Sequence, residues 1–262
     1  MNDTVLLSIS EGVAEIRFNR PEVLNALNMD LGRAFVSAVD QTLANPFVRA
    51  VVISGEGPAF MAGGDLGLFR DAGREERPEI CRLLIPPIQD AILRLTESPL
   101  PTIACINGAT AGAGVSFALM TDLAVAGQSA RFNLSYVKVG ANPDCGGSHA
   151  LVRILGLRKA MEIALLSETI DATEALRLGL VNKLVPDSEL RAETAAIARR
   201  LATSAPLALA STKALLRRAA TSSLADQLQA EYEGFTRLSG SEDFGQAVYA
   251  FFAKRKPVFF GR

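Results

Sequence analysis

Short apolar runs, closed by small or turn-forming residues and followed by helical stripes, recur through the first two thirds of the chain. Residues 5–8 and Val13–Phe18 read as strands joined by Glu11-Gly12, a dipeptide suited to a turn. The polar, proline-bearing stretch 19–27 is a loop, and Asn28 stands where it caps a helix over 29–43. Leu31, Phe35, Ala38, Val39 and Leu43 recur at helical spacing and predict the buried stripe of that helix. Val51, Val52 and Ile53, and again Thr102–Ile106, are apolar on both faces, which marks strands covered on both sides. Residues 75–97 form a charged, then amphipathic helix, with a break expected at Pro86-Pro87. Further strands are expected at 123–126, Arg131–Asn133 and Lys183–Val185, with a loop over 134–148. Helices are expected at 147–155, 157–166, 172–178, 188–203, 206–219, 224–238 and 241–253. Strand-helix alternation gives way to helices alone near residue 190, which divides the chain into 1–190 and 191–262.

Two of those strands run into turns of the same make. The strand at 51–53 is followed by Phe60-Met61-Ala62-Gly63-Gly64-Asp65-Leu66, and Thr102–Ile106 by Asn107-Gly108-Ala109-Thr110-Ala111-Gly112-Ala113-Gly114. Small residues let another group approach the backbone where the first N–H groups of a helix lack internal partners. They also let a helix pack closely on a strand, and both readings fit either turn alone. A dinucleotide or P-loop phosphate site is excluded by pattern: Phe117 occupies the third glycine position after Gly112 and Gly114, and no Gly-Lys-Ser/Thr follows. Two parallel strands ending in such turns bring two sets of free N–H donors to one sheet edge, which is the makeup of an oxyanion hole.

Composition narrows the partners. With 27 Lys+Arg against 28 Asp+Glu there is no global field to attract nucleic acid. Cys81, Cys105 and Cys145 have no CxxC spacing and His149 is the one histidine, so neither a disulfide framework nor a metal site is expected. The opening Met1-Asn2-Asp3-Thr4-Val5-Leu6-Leu7 lacks the basic and apolar regions of a leader, and no stretch reaches the ~20 apolar residues of a membrane span. A cytoplasmic protein with no membrane partner is the expectation.

Five motifs, taken in order, resemble the crotonase (enoyl-CoA hydratase/isomerase) superfamily over nearly the whole chain. They are Asn19-Arg20-Pro21 with Asn25-Ala26-Leu27, Phe60 to Leu66, Ile106-Asn107-Gly108 with Gly112-Ala113-Gly114, Pro143-Asp144-Cys145-Gly146-Gly147, and Phe252-Ala253-Lys254-Arg255-Lys256-Pro257. The resemblance implies an α/β fold: a crotonase-like spiral of ββα units with a C-terminal all-helical trimerisation region. It implies acyl-CoA thioester substrates, coenzyme A entering as part of the substrate with no separate cofactor, and a homotrimer or dimer of trimers. The abundant apolar residues of the C-terminal helices, among them Leu207, Leu209, Leu215, Leu216, Phe251, Phe252 and Phe259, suit such an assembly.

Carried onto this chain, the resemblance puts the two oxyanion N–H groups at Gly64 and Ala113. It puts the CoA-contacting segments at Glu22, Val23 and Ala26, and at Ala62, Gly63, Asp65 and Leu66, with Gly112 and Tyr136 as further substrate- or CoA-binding residues. Lys254 and Arg255 would meet the CoA phosphates, from the same or a neighbouring subunit, or else form a solvated basic helix end. The chain departs from the family's hydratases at both catalytic glutamates, where it carries Ser116 and Tyr136. Asp144 falls where isomerase members, including those acting on ring-epoxide phenylacetyl-CoA, carry a catalytic aspartate. By position alone Asp144 is equally an N-cap for the helix beginning near Gly146. The dehalogenase branch also uses an aspartate here, but its chemistry draws on a tryptophan and this chain has none. The implied reaction is an enoyl-CoA isomerisation in which Asp144 moves a proton from C2 to C4. Hydration assisted by Tyr136, and a catalytically silent CoA-binding or scaffold protein, are the alternatives.

Overall fold

The computed structural model describes residues 3–262, so Met1 and Asn2 of the opening stretch lie outside the described residues. Strands β1 (Val5–Ser10) and β2 (Val13–Phe18) form a hairpin whose turn residues Glu11 and Gly12 both take positive φ. Helix α1 (Met29–Ala44) follows, its first turn closed by the Asn28 side chain accepting from the Leu31 N–H. Then come β3 (Ala50–Gly55), β4 (Ala59–Met61), the single-turn α2 (Gly67–Arg70) and α3 (Arg77–Glu97). Strand β5 (Thr102–Ile106), β6 (Ala109–Ala111) and α4 (Ala113–Leu119) repeat that strand, strand, helix order. Beyond them lie β7 (Leu123–Gly127), β8 (Arg131–Asn133), α5 (Gly147–Leu166), β9 (Ile170–Asp171), α6 (Ala172–Leu178) and β10 (Lys183–Val185). Four helices end the chain: α7 (Leu190–Ala202), α8 (Pro206–Ala219), α9 (Leu224–Ser239) and α10 (Glu242–Phe252).

Each repeat contributes its first strand to one sheet and its second to another. The larger sheet runs β1-β2-β3-β5-β7-β10 and is parallel from β2 onward; the smaller runs β4-β6-β8-β9. This is the spiral of ββα units that the resemblance implies: successive strand-strand-helix units stack so that like elements lie side by side. Phe18, Phe35, Phe60 and Phe117 meet at its centre with ring centroids 5.0–6.1 Å apart and mostly edge-to-face. That geometry adds ~0.5–1.5 kcal/mol per pair to the area they bury. On the other face of the larger sheet, Leu190 and Ala198 of α7 pack on Val52, Ile103, Cys105 and Val125. The all-helical stretch therefore begins with a helix that covers the sheet.

Three details differ from the pattern of the sequence. α3 runs through Pro86 and Pro87 without ending. Each proline forgoes one backbone bond, and the burial of Leu84, Ile88, Ala91, Ile92 and Leu95 along one stripe holds the helix together across the gap. Thr42, not Leu43, is the fully buried residue at the end of the α1 stripe. The three-residue strands β4 and β6 lie inside what read as turns, too short for a period to register. The division of α5 agrees with the pattern: the helices expected at 147–155 and 157–166 meet at Gly156, whose φ of 73° breaks the helical path.

Candidate active site

Parallel pairing of β3 with β5, and of β4 with β6, brings the two glycine-bearing turns together. A Cβ built on Gly63, whose φ is +98°, would lie 3.1 Å from the Ala111 carbonyl oxygen, and one on Gly112 would lie 3.6 Å from Gly63 Cα. At Gly114 a Cβ would come within 2.1 Å of the Met61 carbonyl oxygen. Close approach of the turns thus requires glycine at 63 and 114. Gly64 differs, since a Cβ there meets nothing within 4 Å and the residue is exposed. Among the described residues neither the Gly64 N–H nor the Ala113 N–H donates to a protein acceptor. Ala113 opens α4 behind Gly112, which supplies no side-chain cap, so its free N–H follows from the helix start.

The loop 19–27 holds the first turn from outside. Leu24 and Asn25 both take left-handed φ, 54° and 57°, which Asn tolerates better than most residues. The fully buried Asn25 side chain donates to the carbonyls of Glu56, Ala59 and Phe60 and accepts from the Arg20 N–H. Leu27 pairs with Gly64 in a parallel bridge, its N–H on the Gly63 carbonyl and its carbonyl on the Asp65 N–H. Arg20 reaches the Ala26 carbonyl and the Asp65 carboxylate, the latter at 3.2 Å. Asp65 also accepts from Gly67 N–H, so its side chain is engaged in fastening the turn. Asn25 and Arg20 are positioning residues; both fall in the first of the five motifs, which assigned them no role.

The second component is a line of three side chains. Tyr136 OH donates to Asp144 Oδ1 at 2.5 Å and lies 3.2 Å from Ser116 Oγ. Ser116 is 1% exposed and sits one turn into α4, about 4.5 Å along the axis from Ala113. Gly147 crowds it: a Cβ there would lie 2.2 Å from Ser116 Oγ. Burial, then the nearby Asp144 charge, then the hydrogen bond to it push the Tyr136 phenol far above its ordinary range, so it stays protonated and donates. Burial and the same carboxylate raise the Cys145 thiol, which stays neutral as well. Asp144 does not cap α5. The cap position belongs to Gly146, without a side-chain bond, and only the Asp144 backbone carbonyl meets the helix, accepting from Gly147 N–H.

The remaining candidates are distributed as follows. Val23 (39% exposed), Leu66 (55%) and Glu22 line the outside of the two segments, and Glu22 makes no ion pair or hydrogen bond with described residues. Ala26 and Ala62 are half-buried between them, with Ala62 N–H on the Leu24 carbonyl. Lys254 sits exposed past the end of α10 and shares no hydrogen bond or ion pair with the turn residues. His149 is exposed on α5. Among the described residues no group of three or more His, Cys, Asp or Glu is placed to hold a metal ion, and no helix is long and apolar enough to cross a membrane.

A paired set of free N–H donors beside one ionisable carboxylate is suited to stabilising an oxyanion while moving a proton. Comparison with known proteins shows what the chain is similar to. The profile of the family described as enoyl-CoA hydratase/isomerase matches residues 8–262. A probable enoyl-CoA hydratase of Rhodobacter capsulatus is 38% identical over 99% of this chain and 98% of its own. The 1,2-epoxyphenylacetyl-CoA isomerase of Escherichia coli is 33% identical over the full length of both. A crystal structure of an enoyl-CoA hydratase from Polaromonas sp. superposes with a TM-score of 0.92 at 36% identity, covering 98% of this chain and 99% of that one.

Proposed function

The chain belongs to the enoyl-CoA hydratase/isomerase family, whose members act on acyl-CoA thioesters, and from that membership we propose that it is an enoyl-CoA isomerase. The thioester carbonyl oxygen accepts from the N–H groups of Gly64 and Ala113. Asp144 removes a proton from C2, the charge spreads into a dienolate held by those donors, and Asp144 returns the proton at C4. The observation that carries the reading is the set Ser116, Tyr136 and Asp144: one carboxylate, hydrogen-bonded by a neutral phenol, where hydration calls for groups that position and deprotonate water. A 1,3-proton shift needs only one acid–base group.

Hydratase activity is the second reading, favoured by the name of the Rhodobacter relative. Incubation with a 3-enoyl-CoA and, separately, crotonyl-CoA separates the two. Isomerisation creates the conjugated enoyl absorbance from the first; hydration destroys it in the second. Turnover of crotonyl-CoA alone would overturn the isomerase reading.

Glu22, Val23, Ala26, Ala62, Gly63, Asp65 and Leu66 flank the proposed path of the CoA moiety, largely offering backbone groups, while Gly112 and Tyr136 stand beside the acyl carbons. Coenzyme A arrives with the substrate, and the reaction calls for no further cofactor. Lys254 would reach CoA phosphates only across an assembly. A homotrimer or a dimer of trimers is part of the proposal, because α9 and α10 expose Phe235 (68%), Phe251 (75%) and Phe252 (79%), more aromatic surface than a solitary chain leaves in water. Cys81, Cys105 and Cys145 are free thiols, in keeping with a cytoplasmic enzyme.

A further inference from the structure

We propose that Tyr136, backed by Ser116, is the positioning residue for Asp144: its hydroxyl pins Oδ1 and leaves Oδ2 as the one oxygen that takes the proton from C2 and returns it at C4. The proposal rests on the isomerase reading and extends it to a residue that acts on the proton transfer through Asp144 rather than by taking the proton itself.

Proton inventory fixes the direction of the line. A tyrosine hydroxyl has one proton, and at 2.5 Å from a carboxylate oxygen that proton is spent on Asp144. Across the 3.2 Å contact with Ser116 Oγ the phenol oxygen therefore accepts, so Ser116 donates to Tyr136 and Tyr136 to Asp144. Among the described residues the Ser116 hydroxyl has no other partner; it is fully buried, and Gly147 packs so closely on it that a Cβ there would lie 2.2 Å from Oγ. Each bond polarises the next, so the outer link strengthens the inner one. Asp144 needs this support, since its own segment offers little. Cys145 beside it takes a φ of 50°, Gly146 a φ of 81°, and the Asp144 side chain makes no capping bond to α5. Beside the Cys145 thiol, the phenol is the group that fixes the Asp144 carboxylate in its half-buried loop.

The chemistry balances without a co-reactant. The C2–H bond breaks, its electron pair enters the dienolate and the proton forms Oδ2–H; that bond then breaks as C4–H forms and the double bond settles between C2 and C3. Because Oδ1 is occupied, the carboxyl group cannot rotate to show its new proton to solvent between the two steps. Much of the proton that leaves C2 should therefore be the one that arrives at C4.

The test uses full-length wild type, Tyr136→Phe, Ser116→Ala and Asp144→Asn with a 3-enoyl-CoA deuterated at C2. Following double-bond migration and the deuterium found at C4, Tyr136→Phe should lose roughly 10–100-fold in kcat with KM within about twofold, since a hydrogen bond to a charged group is lost. The share of label carried from C2 to C4 should fall by at least half, an effect that general loosening of the fold would not produce at unchanged KM. Ser116→Ala should move both readouts the same way, roughly two- to fivefold in kcat. Wild-type turnover and label transfer in Tyr136→Phe, with Asp144→Asn inactive, would overturn the positioning role and leave the isomerase reading standing. Should Tyr136→Phe misfold, unchanged rate and transfer in Ser116→Ala would overturn it equally. Wild type that neither isomerises nor exchanges at C2 would remove both.

Discussion

Gly64 offers a clean separation of backbone donor from side-chain space. Its φ lies outside the left-handed region, a Cβ on it meets no protein atom within 4 Å, and its N–H bonds to nothing among the described residues. Alanine therefore fits and keeps the N–H, whereas proline deletes it. Proline forfeits no internal hydrogen bond, and the preceding Gly63 has the conformational freedom that a residue before proline needs. If the N–H holds the developing oxyanion, its loss costs ~2.7–4 kcal/mol of transition-state stabilisation, or ~10²–10³ in kcat. Gly64→Ala should stay within about tenfold of wild type and Gly64→Pro should fall by ~10²–10³, with denaturation midpoints close together. The neighbouring Gly114→Ala, whose methyl would lie 2.1 Å from the Met61 carbonyl oxygen, should instead fail by unfolding the turn. A folded Gly64→Pro that turns over a 3-enoyl-CoA at half the wild-type rate, or an alanine variant as crippled as the proline one, would refute the hole.

Three further outcomes can be measured. Asn25→Ala strips three donor contacts and one acceptor from a buried site and should cost ~3–5 kcal/mol in denaturant unfolding; a loss under ~1 kcal/mol would mean that the 19–27 loop is held by other contacts. Tyr136 titrates at about 10 when unfolded and far higher when folded, so its contribution is full below pH 10 and lost as pH rises above it. The slope is ~1.4 kcal/mol per pH unit, and Tyr136→Phe should lack it; because Lys213, depressed by burial, works in the opposite sense, the variants must be compared at each pH, and parallel wild-type and Phe curves would contradict the buried neutral phenol. Light scattering at micromolar concentration should give the mass of three or six chains, and a monomer would refute the assembly.

The sequence made the scaffold readable wherever a period had room to show. The α1 stripe with its Asn28 cap, the buried strands β3 and β5, and the parallel placement of their turns all follow from spacing and turn chemistry. Strands of three residues, such as β4 and β6, carry too few positions for a pattern, and only pairing across the smaller sheet defines them. The helix through Pro86 and Pro87 was illegible for the opposite reason: local rules say stop, and burial against α1 overrides them. At the site, the residue types at 64, 113, 116, 136 and 144 were visible. The distance that makes Tyr136 and Asp144 one unit depends on a left-handed turn at Ser135 and the close seating of Gly147 on Ser116, and neither can be read from spacing.

The most direct test of the account is Asp144→Asn assayed on a 3-enoyl-CoA. Asparagine keeps the size and can still accept from Tyr136 OH, but its amide cannot take up a proton near neutral pH. Since Asp144 does not cap α5, the substitution leaves the helix start alone and the denaturation midpoint should barely move. Affinity for a CoA thioester should be retained while kcat for double-bond migration falls at least ~10²-fold. Migration at near the wild-type rate in the folded variant would contradict the assignment of the proton shuttle to Asp144.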